Sequence, residues 1–386
     1  MTYINTKNKI IAQIGLASIF VIGLIPFIPF VVDDAFISFV YSKNLILGNG
    51  LTYNGILVEG FSNPLWTVIF APLIGLGIDP LWAARIISII SGMISILLTF
   101  ELSLDFLDND KIFLPFLSCA SVSVLAPYLA WTMGGLETIF LSALVVSLVF
   151  IEWKDHASKK WLSPILLLAI ALTRPEGVIV FIIWVLFRVL VQKLSLLKIL
   201  MDSLLFILPF TASLIIRWHT YGFILPNTAY VKVETGLSVS VNAVQWLMSF
   251  LTLRPLFGLI LVFGIAVMIL KKPFNKKFIL LFGIFLGFIA FVIFSGRDWM
   301  PHHRFLTPII PLLALPITAA LVCQKRSLPQ NNLRVEVGCF SVKILVSLGC
   351  INANISYRLC VTIYSFFDNV AINYATYISR FKFSVW

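Results

Sequence analysis

Apolar runs recur along this chain, many of them roughly 18 or more residues long and so able to cross the ~30 Å hydrocarbon core of a bilayer as α-helices. They lie at about 9–32, 81–104, 112–131, 136–152, 160–173, 177–194, 199–217, 246–270, 278–295 and 305–323. Composition agrees: 60% of the 386 residues are hydrophobic and 12% are charged, with a mean hydropathy of +1.01, well outside the range of a soluble domain. The expected fold class is all-α, a polytopic transmembrane helix bundle of about ten to eleven spans. One embedded domain over 1–323 is expected, followed by an unassigned tail at 324–386 that holds at most one weak span near 338–351.

The formal charge of +11 would suit nucleic acid, but the lysines fall in short clusters between apolar runs, the positive-inside signature, which argues against that partner. Those clusters are Lys7/Lys9, Lys154/Lys159/Lys160, Arg188/Lys193/Lys198, Lys271/Lys272/Lys276/Lys277 and Lys325/Arg326, and they are expected on the cytoplasmic side. The first run, Lys9 to Val32, exceeds a signal-peptide core and lacks a small-residue cleavage site, so it reads as a retained helix. Pro64–Gly77 is too short to cross, and counting it as a span would put every later basic loop on the wrong side. It is expected to lie along or dip into the outer leaflet, within a large first extracytoplasmic loop that carries juxtamembrane helices.

The loops opposite the lysines carry the chemistry. Asp33 and Asp34 sit where the first helix meets the interface, and an acidic pair against hydrocarbon calls for a cation, a metal or a substrate group. Either can act as general base toward an acceptor hydroxyl, and together they are a candidate divalent-cation site; solvation of a helix end is the plain alternative. Glu137, read as a solvated loop acid or a hydrogen-bond partner for a sugar hydroxyl, follows Gly134-Gly135. Arg174 and Glu176 are held close by the turn Arg174-Pro175-Glu176-Gly177, where mutual neutralisation is the plain reading. Arg217-Trp218-His219 through Asn227 and Lys232 places rings beside fixed charge, as a phosphate-binding stacking surface or an aromatic interfacial belt would. The densest segment is Arg297-Asp298-Trp299-Met300-Pro301-His302-His303-Arg304. A basic loop on the outer side is expected to face an anion, with Arg304 forking onto phosphate and His302 or His303 adding a donor. Four histidines without HxxxH or HExxH spacing argue against a dedicated zinc site, and five cysteines without CxxC spacing define no metal or redox motif.

Taken in order, Asp33-Asp34-Ala35-Phe36, Glu59-Gly60-Phe61-Ser62-Asn63-Pro64, Gly135-Leu136-Glu137-Thr138, Thr173-Arg174-Pro175-Glu176-Gly177, Leu225-Pro226-Asn227-Thr228 and Gly296-Arg297-Asp298-Trp299-Met300-Pro301 with Arg304 resemble bacterial glycosyltransferases of the C superfamily. The nearest resemblance is to the group containing the mycobacterial terminal β-arabinofuranosyltransferase, and it covers about residues 9–323. It implies inverting transfer of a hexosyl or pentosyl unit from a polyprenyl-phosphate donor to an envelope glycan, lipid or protein, outside the bacterial inner membrane. It maps the catalytic acid onto Asp33 or Asp34. Substrate-binding roles are expected for Glu59, Asn63, Glu137, Arg174, Glu176, Asn227, Lys232, Arg297, Asp298, His302, His303 and Arg304. The chain departs from the group in its tail, and in carrying His302-His303 where an Arg or Tyr is common. A transporter or flippase of lipid-linked sugars, and an inactive truncated member of the group, are the competing expectations.

Overall fold

The computed structural model describes residues 6–107, 112–154, 161–224, 237–270 and 275–326. Every side chain considered below belongs to one compact unit, Met1–Cys323. Asn227, Lys232 and the tail span near 338–351 lie outside the described residues. Among those described there is no strand, only an isolated bridge between Tyr53 and Ile56.

The chain opens with α1 (Thr6–Leu24), α2 (Asp34–Ile46), α3 (Pro64–Gly75) and α4 (Pro80–Ser103). Next come α5 (Phe113–Ser123), α6 (Ala126–Met133), α7 (Thr138–Lys154), α8 (Leu162–Thr173), α9 (Gly177–Leu190) and α10 (Leu196–Tyr221). The last four are α11 (Leu237–Thr252), α12 (Pro255–Leu270), α13 (Lys277–Ser295) and α14 (Ala314–Arg326). Among the described residues four helical stretches are long and apolar enough to cross a membrane: Thr6–Phe27, Pro80–Phe106, Leu196–Tyr221 and Lys277–Ser295. The count reaches six if each of two bent pairs is one span. Helices α8 and α9 and the segment Pro311–Cys323 are apolar but shorter, which is where the ten-to-eleven estimate and the observed lengths part.

Helix α4 shows how such a bundle packs. Ile86, Ile90 and Ile94 are exposed along one stripe while Ser88, Ser91, Gly92, Ser95 and Thr99 are buried on the other. Small and hydroxylated residues let neighbouring backbones approach, and isoleucine faces the lipid, the pattern of membrane helices. Helix α7 is the centre, with Ile139, Leu141, Val145, Val146, Leu148 and Val149 all buried.

Two of the expected spans fall on bent helix pairs. The run 112–131 bends by 58° between α5 and α6, and the run 246–270 bends by 101° between α11 and α12. Pro127 and Pro255 stand in the first turns of α6 and α12, where proline is tolerated because its missing N–H would have no partner within the helix, so each helix starts afresh there. Helix α11 then lies across one end of the bundle: Val239 packs on Gly296, and Ser249 reaches His303.

The first loop begins and ends at that same end. Val32 N donates to the Gly134 carbonyl at 3.1 Å, and Arg85, in the second turn of α4, donates to the carbonyls of Met133 at 3.1 Å and Ile28 at 2.8 Å. Between them α3 is 12 residues long, about 18 Å at 1.5 Å per residue, and runs beside α2 through Ser42 Oγ bonded to the Thr67 carbonyl. The segment 33–80 therefore leaves and rejoins the bundle at one end.

Candidate functional site

The loops at this end converge on a buried polar cluster. Gly135 holds φ +89°, and a Cβ there would press on Ala35 and Leu81 at 3.1 Å, so glycine lets the start of α2 approach the start of α7. Asp33 caps α2 by accepting from Asp34 N at 3.0 Å, and it is exposed. Asn63 ends the first loop: its Oδ1 accepts from Ser38 Oγ at 3.0 Å, and its Nδ2 donates to Glu137 Oε2 at 2.7 Å. Glu137 Oε1 accepts from Arg174 Nη1 at 2.7 Å, and Arg174 Nε donates to Glu176 Oε1. Glu137, Arg174 and Glu176 are all buried. Burial opposes the Arg174 charge, but the two carboxylates outweigh it and hold the guanidinium above its ordinary pKa. Gly177 closes the turn with no room for a side chain, since a Cβ would come within 2.6 Å of the Ala171 backbone.

A second pair flanks the first. Arg304 Nε lies 2.8 Å from Asp298 Oδ2, Nη2 donates to Oδ1 at 3.3 Å, and the guanidinium packs over the rings of Trp131 and Phe305. Arg174 shares the Phe305 ring at 5.5 Å. Burial, then the nearness of Arg174, draw the Arg304 pKa down, with Asp298, Glu137 and Glu176 opposing. Across both pairs two guanidiniums meet three carboxylates, so the cluster carries one net negative charge. Oε2 of Glu176 is buried with no hydrogen-bond partner.

His302 and His303 adopt left-handed backbone, φ +59° and +48°, a conformation that costs a non-glycine residue roughly 1–3 kcal/mol unless its surroundings enforce it. Trp131 Nε1 donates to the His302 carbonyl at 3.2 Å. His303 Nε2 lies 2.8 Å from Ser249 Oγ, which in turn donates to the Trp246 carbonyl at 2.7 Å. Burial first, then Arg254, push both imidazoles down to about 4, with each other's proximity adding at His302. These contacts bear on the expected phosphate fork from Arg304 and a donor from His302 or His303. Asp298 occupies one edge of the guanidinium, and both imidazoles are uncharged near neutral pH.

The structure thus brings Asn63, Glu137, Arg174, Glu176, Asp298 and Arg304 together, with His302 and His303 beside them. Glu137, expected on a solvated loop, is instead buried. Glu59 stands apart: it is buried and paired with Arg217 of α10 at 2.7 Å. Arg297 is exposed. Among the described residues no three metal-ligating side chains converge.

Sequence reasoning did not assign Arg85, Ser38, Ser249 or Arg254 to this end. A lone arginine directly before a proline was the available signal for Arg254, because X-Pro marks a break and a break brings backbone and charge to a site.

Membrane-length helices around a buried charged cluster, closed at one end by a helix lying across it, define a polytopic membrane protein with a polar site at one mouth of its bundle. No family model matches the chain, and no curated protein matches it. Among solved structures it is similar to ArnT from Cupriavidus metallidurans bound to undecaprenyl phosphate, with a TM-score of 0.60 and 13% identity over 91% of this chain and 67% of that one. The two chains share a fold.

Proposed function

We propose that this chain is an integral membrane glycosyltransferase of the C superfamily that moves a sugar from a polyprenyl-phosphate donor to an envelope acceptor outside the inner membrane. The fold shared with a protein that binds undecaprenyl phosphate supports the class of donor. One observation carries the catalytic assignment: Glu59, Glu137, Glu176 and Asp298 are buried and each paired with an arginine, whereas Asp33 is exposed at the mouth and, among the described residues, accepts only from a backbone N–H. A general base needs such a carboxylate, within reach of an acceptor hydroxyl.

In this reading the acceptor oxygen attacks the anomeric carbon from the face opposite the lipid phosphate. The new C–O bond forms as the bond from that carbon to the phosphate oxygen breaks, the acceptor proton passes to Asp33, and polyprenyl phosphate leaves with the electron pair. Asp34 opens the same helix, and its backbone N–H, donated to Asp33, positions that neighbour. The net negative cluster of Glu137, Arg174 and Glu176 orients the sugar by accepting from its hydroxyls, with the partnerless Glu176 Oε2 as one acceptor. Asp298 and Arg304 brace the wall.

The test is transfer of radiolabel from a panel of polyprenyl-phosphate sugars to envelope extract by the purified protein in nanodiscs, alongside mass spectrometry of envelope glycans with and without the gene. Transfer lost in Asp33→Asn is the expected result; no transfer from any donor and an unchanged glycan profile would overturn it. The two broken spans, bent by 58° and 101°, favour a second reading as a transporter of lipid-linked sugars, since transporters bind substrate at broken helices. Protein-dependent movement of a fluorescent lipid-linked sugar between leaflets, without transfer, would select that reading.

A further inference from the structure

Resting on that reading, one question is left by the charge balance of the cluster: its two arginines are outnumbered by three carboxylates, so it repels a phosphate rather than holding one. Another cation must do so.

Arg254 meets the requirement. It stands at the 101° corner between α11 and α12, with its guanidinium 5.7 Å from the centre of the Phe250 ring. The same ring lies 5.4 Å from that of His303, so arginine and imidazole flank one aromatic wall. Nη1 of Arg254 is buried and without a hydrogen-bond partner. No carboxylate pairs with it among the described residues, whereas Arg174, Arg217 and Arg304 each pair with one and Arg85 is bonded to backbone carbonyls. A buried guanidinium donor left unmade is costly, and a missing partner is the simplest remedy.

The surroundings specify the partner. Leu253, Leu259, Val262 and Phe263 expose apolar side chains at the corner and along α12. An anion with an apolar chain satisfies both features: its phosphate oxygens take the Arg254 donors, and its chain covers the helix. A free phosphate would satisfy the first alone.

We propose that Arg254 binds the phosphate of a long-chain isoprenoid phosphate, with the chain laid along α12. Arg254, and not Arg304, is then the donor-binding cation, and the fixed positive charge also faces the phosphate as it departs.

The experiment measures binding of radiolabelled undecaprenyl phosphate to the full chain in nanodiscs, with undecaprenol and inorganic phosphate as comparison probes. Arg254→Gln should weaken undecaprenyl phosphate binding roughly 10- to 100-fold, the loss expected for hydrogen bonds to a charged group. Arg254→Lys should lie between. Weak undecaprenol binding should be unchanged by either substitution. A second measurement needs no variant: undecaprenyl phosphate should protect Arg254 of the wild-type chain from phenylglyoxal, read by peptide mass spectrometry, and inorganic phosphate at equal concentration should not. Equal binding by wild type and Arg254→Gln, or equal protection by inorganic phosphate, overturns the proposal. Wild type that transfers sugar while Arg254→Gln binds and transfers equally well leaves the glycosyltransferase reading standing and removes only this inference. Wild type that neither binds the lipid nor transfers sugar removes both.

Discussion

Asn63 donates from Nδ2 to Oε2 of Glu137 across 2.7 Å, although 74 positions separate them in the chain. That bond ties the end of the first loop to the start of the central helix, and Arg174 continues the tie to the turn before α9. Three loops are joined through one buried carboxylate. Replacing Arg174 by Gln leaves Glu137 and Glu176 buried without their cation, a change that costs about 3–5 kcal/mol for a buried pair broken on one side. The thermal midpoint of Arg174→Gln in detergent should fall accordingly. Glu137→Gln combined with Arg174→Gln should lose less than the sum of the two single losses, because the double variant removes both charges that need each other. Strict additivity would mean the pair does not act as a unit.

Asp33, unlike Glu59, Glu137, Glu176 and Asp298, is exposed, so its loss should leave the fold alone. Asp33→Asn is expected to insert and melt as wild type while transfer falls by about 10²–10⁴-fold, the range for a positioned general base. Asp34→Asn should cost less, since adjacent residues on a helix diverge by roughly 100° and both cannot face the acceptor. Wild-type turnover in both variants would move the catalytic assignment elsewhere.

Legibility from sequence followed distance along the chain. Arg174 and Glu176 are two positions apart in a Pro-Gly turn, so their pairing is readable directly. The Asn63–Glu137 and Glu59–Arg217 bonds are not, because no local rule relates residues 74 and 158 positions apart. The helical class and the short, returning Pro64–Gly75 segment follow from apolar run length, whereas the number of crossings does not. Run length cannot show that 246–270 folds into two helices at a right angle, and only Pro255 hints at it. The charge on His302 and His303 was equally hidden, since burial beside Arg254 decides it and neither fact is local.

That burial makes stability depend on pH. The two imidazoles are pushed down to about 4 in the folded chain against an ordinary 6.5, so between those values the unfolded state binds more protons than the folded one. Stability is therefore fully present above about pH 6.5 and is lost as pH falls toward 4. The thermal midpoint should decline across that window, and His303→Gln should flatten the decline. Arg254→Gln removes a cation facing both rings, so it should raise their folded pKa values and narrow the window from below. A flat profile from pH 7 to 4.5 would place both imidazoles in contact with water.

Arg304 tests whether the outer basic segment clamps a ligand or braces the wall. Its guanidinium is divided between Asp298 at 2.8 Å and two aromatic faces, Phe305 at 5.0 Å and Trp131 at 5.7 Å. A clamp and a brace respond differently when Asp298 is removed. If Arg304 held the donor phosphate, Asp298→Asn would release a cation toward it, and KM for the donor should fall. As a brace, the pair fixes the strained His302-His303 turn, so Asp298→Asn should lower the thermal midpoint without improving KM. Arg304→Lys keeps the charge but loses the planar fork and the stacking that go with guanidinium, so it too should melt early. The destabilisation should be smaller in Asp298→Asn combined with Arg304→Gln than the two single losses predict, because that change neutralises both partners at once. Kinetics on variants brought to equal folded fraction by lowering the temperature separate the two roles: a kcat per folded molecule close to wild type in Arg304→Lys marks the brace, and a KM lowered by Asp298→Asn marks the clamp.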